Sequence, residues 1–290
     1  MAKVIKVTVP LIVAVIVLLF GSAYTATARA AEIDKQRELF LQVYPEVERG
    51  SWNAVDALDS DDQEALRRYV LWPDLRATWF RAAMQRADHA EVEAFLENYG
   101  TLRPARELRY RYALHLARAD SLAAYLRIYE QFYQGLEITK LDCLALRAEM
   151  DAGRQHRVVN RAKDLWTVGK SQVDECDPVF RYLSDQNLLD ATDYVRRFEL
   201  AIDAREFSMA RWLGKSIDQR HIDIAGQWLR AERNPESFVR NYRKWPNDPS
   251  TREQLAYAVE RLTFRDPLLA LELWEEVSQG GRFSAEQELR

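Results

Sequence analysis

The feature that most restricts the fold of this chain is a 3.6-residue amphipathic period, interrupted and restarted at short intervals. Across Asp120 to Tyr133 the apolar positions Leu122, Tyr125, Leu126, Tyr129, Phe132 and Tyr133 follow one face of a helix. A second stripe runs through Leu255, Ala256, Val259 and Leu262, and a third through Leu269, Leu273, Trp274 and Val277. A recurrent dipeptide marks helix starts, at Asp177-Pro178, Asn234-Pro235, Asp248-Pro249 and Asp266-Pro267. The Asp or Asn side chain can accept from the orphan N–H groups of a first turn, and a proline at the next position lacks an N–H that would go unpaired anyway. Stops are expected at Gly50, Gly100, Gly153, Gly169 and Gly280-Gly281. Strand signals are nearly absent, with few alternating Val/Ile/Thr runs and no Asn-Gly or Asp-Gly turn. No stretch rich in Pro, Gly or Ser divides the chain after its first thirty residues. The expected fold is therefore all-α, an α-solenoid or superhelix of antiparallel helix pairs with degenerate repeats. A compact helical bundle is the alternative.

The first thirty residues read as an export signal. Lys3 and Lys6 give a positive start, Val7 to Phe20 an apolar run, and Ala28-Arg29-Ala30 a small-x-small cleavage site. An uncleaved anchor is the competing reading. The run is short for about 30 Å of hydrocarbon, and Ser22, Thr25 and Thr27 place hydroxyls just beyond its end. With Lys3, Lys6 and Arg29 set aside, 38 basic groups face 45 acidic ones, a net charge of −7 against −4 for the whole chain. Such a balance argues against nonspecific nucleic-acid binding, which rests on cationic patches. It also means that affinity for an anionic polymer would have to come from local surfaces. Cys143 and Cys176 are the chain's two cysteines. They read either as one intrachain disulfide, suited to an oxidising compartment, or as two free buried thiols.

The segment Lys163-Asp164-Leu165-Trp166-Thr167-Val168-Gly169-Lys170-Ser171-Gln172, running on to Cys176-Asp177-Pro178-Val179-Phe180, ends one helix, crosses a loop and starts another. It closely resembles a segment in the superhelical, U-shaped domain of the soluble lytic murein transglycosylases. Leu102-Arg103-Pro104-Ala105-Arg106, followed by Leu108-Arg109, is similar to the family's proline–alanine–arginine helix start, and Leu116-Ala117-Arg118 falls in the helix after it. The order Cys143, Gly153, Lys163-Asp164-Leu165-Trp166, Cys176 also resembles a family arrangement of cysteine, helix, turn, helix and second cysteine. The similarity is clearest from Leu66 to Arg197. The resemblance implies a signal peptide over 1–30 and a partial superhelical U-shaped domain over 31–290. It also implies a periplasmic setting, with peptidoglycan and other wall proteins as partners and the membrane met only during export. The family reaction is non-hydrolytic cleavage of the MurNAc–GlcNAc bond to give 1,6-anhydro-muropeptides. In the family the catalytic module comes after the superhelix, and this chain stops at Arg290. A noncatalytic, glycan-positioning or scaffold role is expected, with a stand-alone helical-repeat adaptor as the alternative.

The residues themselves offer little else that could carry catalysis. The family needs an acid/base glutamate followed by serine, with Gly-Leu-Met-Gln shortly after. Glu236-Ser237 is the one comparable dipeptide, no such tetrapeptide comes after it, and Ala256-Tyr257-Ala258 does not replace the family's Ala-Tyr-Asn. Gly169-Lys170-Ser171 is not a phosphate loop, because position 164 is Asp where a glycine is required. His89, His115, His156 and His221 are scattered without metal-ligand spacing, and neither metal nor cofactor is expected. Asp59-Ser60-Asp61-Asp62 reads as a solvated loop or helix cap rather than a calcium loop. Arg103, Arg106 and Arg109, with Arg111 nearby, form a basic cluster that could touch glycan or wall peptide, or could equally be a solvated helix face. The aromatic residues, such as Tyr125, Trp166 and Trp274, read first as filling between helices.

Overall fold

The computed structural model describes residues 9–119 and 121–283, with side chains from residue 29 on, and every regular element among them is helical. In chain order these are α1 (Val9–Glu48), α2 (Asn53–Asp56), α3 (Ser60–Arg67), α4 (Trp72–Ala82), α5 (His89–Tyr99), α6 (Arg103–Arg118), α7 (Leu122–Phe132) and α8 (Thr139–Asp151). They are followed by α9 (Val159–Trp166), α10 (Asp177–Asp185), α11 (Ala191–Asp203), α12 (Phe207–Gly214), α13 (Gln219–Arg233), α14 (Pro235–Arg240), α15 (Pro249–Thr263) and α16 (Pro267–Gln279). The helices fall into two compact units, the first ending at Ile128 and the second beginning at Tyr129. The export-signal reading rests on side chains outside the described set. Among the described residues no helix is long and apolar enough to cross a membrane.

In the first unit, Leu39, Val43 and Val47 recur every fourth residue, so they share one face of α1. That face is buried against Leu66 of α3 and Leu75 of α4. Helix α6 packs on α4 and α5 and buries Leu108, Tyr112 and Leu116. In the second unit each helix packs mainly on its neighbours in sequence: α11 on α12, α12 on α13, α13 on α14 and α15, and α15 on α16. One core joins Trp166, Val179, Leu183, Phe198, Leu213 and Ala225. Another joins Phe207, Leu229, Phe238, Leu255, Leu262 and Leu273. Packing between near neighbours is how helix pairs bury one-sided apolar stripes in a solenoid. The predicted stripes are the buried ones: Tyr125, Leu126, Tyr129 and Tyr133 in the first, Leu255, Val259 and Leu262 in the second, Leu273 and Val277 in the third.

A helix starts at each of the four predicted dipeptides, and the side-chain cap forms at two of them. Asp248 accepts from Thr251 N at 2.8 Å and Asp266 from Leu269 N at 3.0 Å. Asp177 does not cap. A 3-10 turn over Asp174–Cys176 has already bent the chain, which leaves Cys176 at the N-cap with helical φ −83° and ψ −20° and Asp177 inside the first turn. Asn234 does not cap through its side chain either, and its own N–H closes α13 by donating to Arg230 O at 2.9 Å. Asp59, Asp88 and Asp218 each cap through a side-chain oxygen, and Asp190 forms a full capping box with Asp193. Each such cap contributes about 1 kcal/mol to its helix.

Among the predicted stops, Gly50, Gly153 and Gly281 take positive φ, whereas Gly100 stays helical at φ −57°. Gly169 has a different role. A Cβ placed there would fall inside contact distance of Leu200 O and 2.8 Å from Leu200 C, so α11 can approach this loop only because no side chain intervenes. Cys143 of α8 and Cys176 are joined by a disulfide, with Cα atoms 4.9 Å apart across 33 residues of sequence.

Urea denaturation should separate these contributions. Gly169→Ala should cost about 1–3 kcal/mol, because the overpacked atom is backbone and cannot swing aside. Gly226→Ala should gain up to about 1 kcal/mol instead, since Gly226 lies inside α13 with nothing within 4 Å of the added carbon. Cys143→Ser/Cys176→Ser should lower stability by roughly 3–4 kcal/mol through loop-closure entropy. Equal midpoints for the oxidised protein and this double variant would refute that stabilisation.

Candidate functional site

The motif-bearing segment builds one wall of a pocket in the second unit. Three features of it fix the neighbouring α11. Gly169 admits the α11 backbone. Lys163 Nζ reaches Asp193 Oδ2 at 2.6 Å, and Trp166 sets its ring edge-on to Tyr194 at 5.1 Å between centroids and 80° between planes. Gln172 Nε2 donates to Leu165 O at 3.0 Å and holds the loop against the end of α9. The resulting cavity is about 740 Å³. Trp166, Phe180, Met209 and Trp212 give it an apolar lining, and Ser171, Gln172, Ser184, Ser208 and Ser216 contribute polar groups.

Arg197 lies at its floor. The residue is 5% exposed, and its Cζ sits 4.4 Å over the Trp166 ring and 6.0 Å from the Phe180 ring. No carboxylate pairs with it among the described residues. Its Nε is buried without an acceptor, and Nη2 makes only a 4.0 Å approach to Met209 Sδ. Burial pushes the guanidinium down to about 10, against a smaller opposite influence from Tyr194. Exposed Asp177, Asp185 and Glu206, with Arg181, stand at the mouth. Nothing in the sequence marked Arg197 as special, because its isolation is created by helices that meet only in the folded chain.

A wider groove of about 1260 Å³ lies between α11, α13, α15 and α16. Trp228, Tyr257 and Trp274 line it, together with Arg220, Glu253 and Glu260. Glu260 is held by both Nη atoms of Arg205, at 3.3 and 3.2 Å to Oε1, while Arg205 Cζ sits 5.0 Å over Tyr257. Aromatic faces beside ion-paired carboxylates can stack on and hydrogen-bond a polar ring.

The residues singled out from sequence are dispersed. Arg103 is exposed at the start of α6 and bonds Glu107 Oε1 at 2.8 Å through Nε, and the same Glu107 meets Arg81 at 3.3 Å. Arg106 and Arg111 are exposed, whereas Arg109 is half-buried. The cluster is thus partly neutralised on one flank by Glu107. Glu236 lies in the exposed first turn of α14, paired to Arg240 Nε at 2.9 Å. Its surroundings are water and a guanidinium, whereas a general acid needs a dehydrated carboxyl.

The histidines are less scattered than their spacing suggested. His89 and His115 stack with centroids 6.0 Å apart, and His89 Nδ1 lies 2.8 Å from the Tyr112 hydroxyl, which also donates to Glu93. Burial first, and then His89, hold His115 below the usual imidazole range. Among the described residues no group of three His, Cys, Asp or Glu side chains is placed to hold a metal ion.

No protein-family model matches the chain. It is similar to the soluble lytic murein transglycosylase of Escherichia coli K12, at 25% identity over 263 residues, which is 91% of this chain and 40% of that protein. Among solved structures, the 70 kDa soluble lytic transglycosylase of Escherichia coli superposes with a TM-score of 0.67 at 23% identity, covering 88% of this chain and 40% of that one. An inactive mutant of the lytic transglycosylase Slt from Pseudomonas aeruginosa superposes with a TM-score of 0.56 at 25% identity, covering 83% and 39%. The resemblance to soluble lytic murein transglycosylases therefore extends over nearly the whole chain, and the all-α solenoid class agrees with it. The chain spans 40% of the length of the curated relative.

The Lys163–Asp193 pair predicts an acid dependence. Burial alone would raise the Asp193 carboxyl, but the Lys163 hydrogen bond, the Asp190 N–H and the Lys163 charge outweigh it and hold the group below its ordinary value of 3.8. The pair's contribution is therefore complete above pH 3.8 and is lost as pH falls through the lower folded value. Asp193→Asn should cost about 1 kcal/mol at neutral pH and flatten the acid limb of the urea midpoint against pH. An acid limb parallel to that of the wild type would contradict the assignment.

Proposed function

Because the chain resembles the soluble lytic murein transglycosylases, we propose that it is the helical-superhelix portion of a periplasmic protein of that kind. Its role is to position peptidoglycan glycan rather than to cleave it. The observation that carries this reading is likeness over 91% of the chain to a protein of which it spans 40%. A signal peptide over 1–30 and a partial superhelical U-shaped domain over 31–290 complete the proposal. The disulfide is in keeping with an oxidising compartment. One related soluble lytic transglycosylase has been solved in complex with bulgecin A, so a protein of this fold does take a ligand.

Two surfaces can meet the polymer on this reading. The exposed guanidinium groups of Arg103 and Arg106 offer charged contacts to carboxylates of the wall, and the wider groove offers the half-buried indoles of Trp228 and Trp274 to sugars. The overall negative charge gives no long-range attraction, so binding is local and weakens with salt. A second reading is favoured by Phe264, Leu268 and Leu271, which are 85%, 81% and 56% exposed near the α15–α16 turn. An apolar face of that kind suits a helical-repeat adaptor that binds another protein.

The purified chain should be retained on isolated sacculi and should release no anhydro-muropeptides above a buffer control. Arg103→Ala/Arg106→Ala should lower retention roughly five- to tenfold, since two exposed ionic contacts together are worth about 1 kcal/mol. Unchanged retention would remove the arginines from the proposal, and robust anhydro-muropeptide release would overturn the noncatalytic role.

A further inference from the structure

The Arg197 pocket has the construction of a binding site for a small zwitterion. A cation stacked over an aromatic ring uses its π face, which leaves the in-plane N–H fork free to meet a planar acceptor. For Arg197 that fork has no protein oxygen within reach among the described residues, although 95% of the residue is buried. Buried polar groups are almost always paired, so an orphaned guanidinium calls for a partner. The cavity beside it, about 740 Å³, has room for a small organic ligand.

The charges around the pocket narrow the class of ligand. Two arginines, Arg181 and Arg197, face three carboxylates, Asp177, Asp185 and Glu206. A phosphate or dicarboxylate would meet one buried cation and then repulsion at the mouth. A carboxylate with a cationic group several bonds away meets the guanidinium at the floor and the acids at the mouth. The serine hydroxyls and Gln172 along the walls can bond a peptide group between the two. The acids do not form a metal site among the described residues.

We propose that this pocket binds a zwitterionic amino acid or short peptide, with the terminal carboxylate on Arg197 and the cationic group among Asp177, Asp185 and Glu206. The assignment stands on the pocket alone and does not depend on the glycan-positioning role.

The test uses the intact chain with lysine, alanyl-lysine, the C-terminal amide of alanyl-lysine and inorganic phosphate at equal millimolar concentrations. Binding is read from tryptophan fluorescence and from the Arg197 Nε–Hε NMR resonance of the wild type. Trp212→Phe, at a ring that is 55% exposed, identifies the part of the fluorescence that comes from the pocket. Saturable responses to lysine or alanyl-lysine are expected, with the tighter of the two naming the source of the carboxylate. The amide should bind at least about tenfold more weakly, and so should the acids to Arg197→Lys, which keeps the charge but loses the fork. The wild-type titration keeps the test decisive even where Arg197→Lys does not fold. No saturable response, an equal response to the amide, or an equal response to phosphate would overturn the proposal.

Discussion

The second unit depends on a backbone-to-backbone approach at Gly169, where the carbonyl of Leu200 comes so near that no side chain fits between. That closeness lets three dissimilar contacts form at once between the α9–α10 segment and α11. They are an ion pair at Lys163–Asp193, an edge-on aromatic pair at Trp166–Tyr194 and a stacked cation at Trp166–Arg197. None would set the geometry alone. An ion pair at the edge of a structure is worth about 1 kcal/mol and aromatic pairs about as much, so the fit of the backbones decides whether they act together. Once α11 is seated, its Phe198 and Ala201 share a core with Ala210 and Leu213 of α12.

Arg197 shows what that arrangement tolerates. Taking a cation out of water costs several kcal/mol even after relaxation, and a desolvated aromatic face returns about 2 kcal/mol. The same burial pushes the guanidinium down to about 10. A methionine or leucine would pack against Trp166 and Phe180 without that penalty, so the fold alone gives no reason for an arginine. Glu236 is the opposite case, a carboxylate whose sequence neighbour invites a catalytic reading but whose surroundings are solvent and Arg240. Environment, more than residue type, separates the two.

Much of the architecture was legible in the sequence because helices announce themselves locally. Stripes at three- and four-residue spacing name the buried face, and Leu255, Val259 and Leu262 lie where the period put them. The starts were legible too, at all four Asp/Asn-Pro dipeptides, but the caps were less secure, since whether an Asp before a proline caps depends on the preceding bend. Asp248 caps while Asp177 comes after a 3-10 turn and cannot. The segment from Lys163 to Phe180 was recognisable as a motif, yet its physical meaning was not. Gly169 reads as a stop and serves as a passage for another backbone. Arg197 and the His89–His115 stack, 26 positions apart in sequence, were invisible because no local rule couples residues on separate helices.

The Cys143–Cys176 bond has a mechanical consequence as well as a thermodynamic one. Tension applied through the chain ends travels across the sulfur bridge and bypasses the chain between two cysteines that are 33 positions apart. At about 3.4 Å per extended residue, roughly 110 Å of chain stays hidden from the pull. Helix α9, its loop and the ring of Trp166 sit inside that shielded length. Stretching that uncoils helices on either side would leave this inner span slack, ready to re-form its contacts when the load is released.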